Sequence, residues 1–152
     1  MNKVIITKEI WEKTRNHLLQ DDNEHLAFLL ANTTKTSNGI TFLIKDVIII
    51  PDQKFTPQNF HMELSLDQIL SVTNTAKKKK MSLIEIHSHP FTTYQTTFSL
   101  TDLNGFKEFV PYILDSLPGK SYGALVLGQK SVDGMYIGSF FPLRIVDPLY
   151  TG

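Results

Sequence analysis

A chain of 152 residues has the length of one domain and is long enough to bury a full core. Its 15 basic and 15 acidic residues cancel, so nothing in the net charge suggests a nucleic-acid footprint or a general attraction to membranes. There is no cysteine, which excludes disulfides and thiolate zinc knuckles and leaves His and carboxylate as the only strong metal ligands.

Val4-Ile5-Ile6 reads as a short first strand. Thr7 is placed to cap a helix running to about Gln20, with Ile10, Trp11, Thr14 and Leu18 along one stripe. Asp21-Asp22-Asn23 reads as a turn that delivers Glu24 to a strand from Leu26 to Leu30. Residues 33–39 then read as a hairpin connection into a strand from Ile40 to Ile44, continuing through Val47 to Ile50. Pro51 and Pro57 bracket a loop, and Ser65 with Gln68 forms a capping-box pair opening a helix to about Lys80. The run Lys77 to Lys80 complements the negative end of that helix, or alternatively grips an acidic partner.

Met81 to His89 is the next expected strand. A helix should open at Ser99, with Leu103, Phe106 and Val110 on one face, and be broken or kinked at Pro111. Tyr122 to Leu127 and Met135 to Phe141 read as strands joined through a turn at Asp133-Gly134. Helices and strands alternate without a Gly-rich phosphate motif, an internal repeat or a visible boundary, so residues 1–152 are expected to form a single domain of mixed α and β structure. No run of eighteen apolar residues is present and the start is too short for a signal peptide, which makes a cytoplasmic location the expectation.

The chemistry concentrates in His87-Ser88-His89-Pro90, followed by Ser99 and Asp102, with Glu24 far upstream. Two His residues separated by one share a face of an extended strand, roughly 6.5–7 Å apart at Cα. Their ring nitrogens can therefore converge on one ion. Two imidazoles and a carboxylate suit zinc with one position left open for water, the signature of a catalytic rather than a structural site. Other readings stand beside this one. Ser99-Leu100-Thr101-Asp102 is also a serviceable helix N-terminus, and Glu24 beside a turn is also an ordinary solvated acid. Glu85 shares the strand face of His87 and is a rival for any general base. His17, His25 and His61 lack metal spacing and read as structural or solvent-facing.

The constellation resembles the JAMM motif of the JAB/MPN family of zinc isopeptidases: an upstream Glu, then His-x-His-Pro, then Ser-x-x-Asp. Glu24, His87-Ser88-His89-Pro90 and Ser99 to Asp102 match it in order, and Glu24 to Ala31 is similar to the family's apolar strand after the Glu. The nine residues 90–98 make a longer connection than the family usually has, and Ala27 and Ala31 stand where it tends to have Gly. Phe91, Tyr94 and Phe98 lie in that lengthened loop, as a groove wall or as an anchor on the core.

The resemblance implies a curled mixed sheet flanked by helices, related to the deaminase-like architecture. It implies one Zn2+ per chain held by His87, His89 and Asp102, with Glu24 as general base and Ser99 stabilising the oxyanion. The implied reaction is hydrolysis after the C-terminal glycine of a ubiquitin-like protein, as deconjugation or precursor processing. The implied partners are that protein and its conjugates, with associated activating or conjugating enzymes, and antiviral defence is one setting for such small prokaryotic members. A non-catalytic MPN scaffold that binds a ubiquitin-like protein, or a peptidase processing a sulfur-carrier protein, is the alternative.

Overall fold

The computed structural model describes residues 2–51, 66–90, 110–137, 141–142 and 144–145. Strand β1 (Lys3–Ile5) leads into helix α1 (Lys8–Leu18), then β2 (Leu26–Thr36), β3 (Gly39–Ile49), α2 (Leu66–Lys79) and β4 (Ser82–Ser88). Helix α3 covers residues 110–116, and β5 (Tyr122–Leu127), β6 (Val132–Ile137), β7 (Phe141–Pro142) and β8 (Arg144–Ile145) follow.

The eight strands of the described residues belong to one sheet, ordered β7-β6-β5-β4-β2-β3-β1-β8. The β1–β3, β1–β8 and β4–β5 pairs are parallel and the rest antiparallel. The two edge strands, β7 and β8, are nearly consecutive in sequence: Pro142 pairs with β6 while Arg144 pairs with β1. Two residues span at most about 7 Å, so the sheet curls until its edges almost meet. The expected mixed α and β architecture, a curled mixed sheet flanked by helices, is what the chain adopts. Among the described residues, no helix is long and apolar enough to cross a membrane.

Strands β4 and β5 and the first half of β2, Leu26 to Ala31, are buried on both faces, which is why they read as near-continuous apolar runs. On one face Leu26, Phe28, Leu30, Leu83, Tyr122 and Ala124 pack with Val72 and Ala76 of α2 and Val110 and Ile113 of α3. On the other, Ala27, Leu29, Ile84, Ile86 and Leu125 pack with Leu18 of α1, with Trp11 against them. The Thr7 hydroxyl accepts from the Ile10 amide at 3.4 Å, the expected N-cap of α1. At the other end of α2, Lys80 turns into the left-handed region at φ 57°, and the Met81 amide reaches back to the Ala76 carbonyl at 2.9 Å. The lysines before it are exposed and offset the negative helix end.

Two boundaries differ from the sequence expectation. Residues 33–36 are not a connection: β2 continues to Thr36, which pairs with Gly39, because β-branched Thr33, Thr34 and Thr36 favour a strand. Asp133-Gly134 is not a turn either. Both residues lie inside β6, opposite Val126 and Leu125, and the chain reverses at residues 128–131, where the Gly128 amide donates to the Ser131 carbonyl at 2.9 Å. Residues 110–116, Pro111 among them, are helical, and the helix expected before residue 110 lies outside the described residues. The capping pair at Ser65 and the helix start expected at Ser99 lie outside the described residues. One residue, Lys45, is passed over where β3 pairs with β2, so the register shifts between Leu30↔Asp46 and Ala31↔Ile44.

Phe28 sits in the strand joining both halves of the sheet and is 1% exposed. Phe28→Ala should therefore lower stability by about 3–5 kcal/mol, the cost of a large buried ring with its cavity. A urea titration against the parent chain measures it, and a loss below about 1 kcal/mol would contradict the packing described.

Candidate metal centre

The candidate site lies at the C-terminal end of β4, where the sheet passes from apolar to polar. Along β4 side chains alternate between faces. Ile84, Ile86 and Ser88 fall on the α1 side, whereas Leu83, Glu85 and His87, with His89 just beyond, fall on the side of α2 and α3. The antiparallel register Leu26↔His87, continued by two residues, sets Glu24 opposite His89. Sequence spacing alone could not bring residue 24 to residue 89; strand pairing does.

These groups are all buried: His87 is fully inaccessible, and Glu24 and His89 are 4% and 5% exposed. The two Nε2 atoms are 3.2 Å apart, with ring planes inclined at 65°. Glu24 Oε1 lies 3.3 Å from His89 Nε2. Two ring nitrogens on a tetrahedral zinc, each at about 2.0–2.1 Å, would stand about 3.3–3.4 Å apart. The observed separation fits that requirement, and a nitrogen donor set with a carboxylate alongside is the chemistry zinc accepts. Among the described residues, no group of three donors completes a metal-holding set. Asp102 and Ser99, the expected third ligand and oxyanion donor, lie outside the described residues.

The backbone at the site is held from both neighbouring strands. The Ser88 amide donates to the His25 carbonyl at 3.1 Å, and the His89 amide donates to the Leu127 carbonyl of β5 at 2.8 Å. Beyond it, the Gln129 side chain donates to the Pro90 carbonyl at 2.7 Å. Proline favours an extended residue before it, which suits His89 leaving the strand end. A polar cavity of about 450 Å³ adjoins Pro90, between the end of α1, the turn at Asp21 and Asp22, and the turn at Gln129 and Lys130.

Glu85, the rival acid, sits deeper. It pairs with Phe28 and Ala124 in the apolar layer and is 1% exposed. Its neighbour Tyr122 is buried, and that burial, followed by the Glu85 charge, pushes the phenol well above its usual range. His25 and His17 take structural positions. His25 Nε2 is 2.7 Å from Asp21 Oδ1, and His17 Nε2 is 3.0 Å from the Leu26 carbonyl. Neither role was visible in the sequence, because both depend on the turn between α1 and β2 folding back on its helix. His61 lies outside the described residues.

No family model matches the chain and no curated protein matches it significantly. Among solved structures, it is similar to a Desulfitobacterium hafniense protein determined in solution as a structural-genomics target, with a TM-score of 0.63 and 19% identity. The likeness covers 94% of this chain and 91% of that one and shows the fold.

The contact with His25 holds the Asp21 carboxyl below its ordinary value, helped by the Asn23 amide. A lowered folded value stabilises the protein above the unfolded carboxylate pKa, and that contribution is lost as pH falls through the folded value. Melting temperature followed from pH 7 into the acid range should thus fall less in Asp21→Asn than in the parent chain. Parallel curves would show that the contact contributes nothing. For the site itself, His87→Ala and His89→Ala should each lose zinc measured by elemental analysis, and zinc retained at parent levels in both would reject the centre.

Proposed function

We propose that the chain is a zinc-dependent peptidase of the JAB/MPN type that cleaves after the terminal glycine of a ubiquitin-like protein. The observation that carries this reading is the buried convergence of His87, His89 and Glu24 at one strand end. Buried histidines and a buried acid are uncommon without a binding role, because burying such groups is costly unless partners compensate. The motif order around them, with Ser99 and Asp102 following, supports the same reading.

In this reading His87, His89 and Asp102 would hold the zinc. Zinc in such a set supplies a Lewis acid for the scissile carbonyl and for the attacking water. Glu24 takes the proton from that water and delivers it to the departing amine. Its distance of 3.3 Å from a ligand nitrogen supports Glu24 over Glu85, which sits against Tyr122 in the apolar layer. The Ser99 hydroxyl is expected to donate to the developing oxyanion. No covalent enzyme intermediate is required, in keeping with a chain that has no cysteine. Small glycines at the end of the substrate tail let its backbone approach the ion closely.

The test uses the zinc-loaded chain and a ubiquitin-like protein extended beyond its terminal glycine, with the cut located by mass spectrometry. Cleavage after glycine is expected, and chelation should abolish it while leaving the far-UV circular dichroism largely intact. Glu24→Gln should keep zinc and fold but lose about 10²–10⁴ in rate, the usual share of a general acid–base group. Glu85→Gln should remain active. An active Glu24→Gln beside a dead Glu85→Gln would reassign the base, and zinc binding without turnover on any such fusion would favour a binding module.

A further inference from the structure

The residue between the two histidines carries an inference of its own. Continuing the β2–β4 register by one residue from Leu26↔His87 sets Ser88 opposite His25. Opposed residues of an antiparallel pair alternate between bonded and non-bonded positions, and at a bonded position the two residues ordinarily exchange two backbone hydrogen bonds. Here only one of the two is made that way, from the Ser88 amide to the His25 carbonyl at 3.1 Å. The return bond runs from the His25 amide to the Ser88 hydroxyl at 3.0 Å, so a side chain replaces the strand's own carbonyl. Ser88 is fully buried, and no solvent is at hand to take over the role.

We propose that Ser88 is a positioning residue: its hydroxyl fixes the start of β2 and thereby sets Glu24 against His89. The side chain works from the opposite face of the sheet, since residues 87 and 89 alternate with it. Glu24 precedes the clamped amide directly, so the carboxylate inherits the placement of that peptide. Two further contacts brace the same segment from the α1 side. Asp21 holds the His25 ring at 2.7 Å, and His17 holds the Leu26 carbonyl at 3.0 Å. The segment from 21 to 26 is therefore tied at several points, and those from the ligand strand both come from Ser88, through its amide and its hydroxyl. A hydroxyl suits this post because it is compact and its oxygen can accept while β4 turns away toward β5, where the His89 amide bonds Leu127 at 2.8 Å.

The catalytic consequence rests on the hydrolase reading above, whereas the clamp does not, and the experiment separates them. Ser88→Ala and Ser88→Thr are compared with the parent chain for amide exchange at His25, zinc content and steady-state cleavage of a ubiquitin-like fusion. In Ser88→Ala the His25 amide should exchange at least about tenfold faster, since a buried donor has lost its acceptor. Zinc should remain at the parent level. The kcat should fall about 10²-fold with KM little changed, the expected effect of misplacing a reacting group by about 1 Å. Ser88→Thr, which keeps the hydroxyl, should restore both exchange protection and kcat. Unchanged exchange in Ser88→Ala overturns the clamp, and parent-level kcat with a loosened amide overturns the positioning role. Should the zinc-loaded parent chain cleave nothing, the reaction is at fault, and the His25 exchange rates still decide the clamp.

Discussion

The antiparallel pairing of β2 with β4 is the constraint on which the rest of this structure depends. It sits at the centre of the sheet, with β5, β6 and β7 on one side and β3, β1 and β8 on the other. The register Leu26↔His87 decides which residues face α2 and α3 and which face α1. A slip of one residue would exchange the faces of every side chain along the pair. That slip would send Phe28 and Leu30 to the α1 side and carry Glu24 away from the imidazoles. Apolar packing on both faces of β2 thus enforces the same alignment that assembles the polar end.

The polar end is costly by itself. Glu24, His87, His89 and Glu85 are all withdrawn from water within a few residues of one another on the same side of the sheet. Burial of a carboxylate or an imidazolium is unfavourable unless partners compensate. An apolar core built around these strands tolerates Glu24 and the histidines at a strand end, whereas Glu85 lies within the apolar layer beside Tyr122. The gradient along β4 makes the arrangement intelligible: Leu83 is set in the layer formed by α2 and α3, Glu85 meets a buried phenol, and the histidines emerge where the strands finish.

Curling of the sheet serves the same end. Because β7 and β8 are nearly consecutive yet pair with opposite edges, the sheet is strongly curled. The chain from the end of β5 turns at residues 128–131 and ties back to Pro90 through Gln129. The His-x-His segment is consequently held by strands on both sides, a rigid support of the kind a metal site needs.

Much of this was legible in the sequence. The Thr7 cap, the extent of α1, the central strands and the pairing of two histidines on one strand face all follow from local chemistry and a period of two or 3.6. The motif order named Glu24 as the acid to watch. Other features were decided by tertiary structure. Asp133-Gly134 carries a strong turn signal, yet pairing with Val126 and Leu125 draws it into β6. Thr33 to Thr36 sit in a polar stretch, yet β3 offers them a partner out to Gly39. Glu24 meets His89 only because two strands separated by about sixty residues in sequence lie side by side, and the hydroxyl of Ser88 reaches the His25 amide for the same reason. Sequence fixes what each residue can do within a few neighbours, whereas long-range register depends on the summed packing of both sheet faces, and no single segment contains that information.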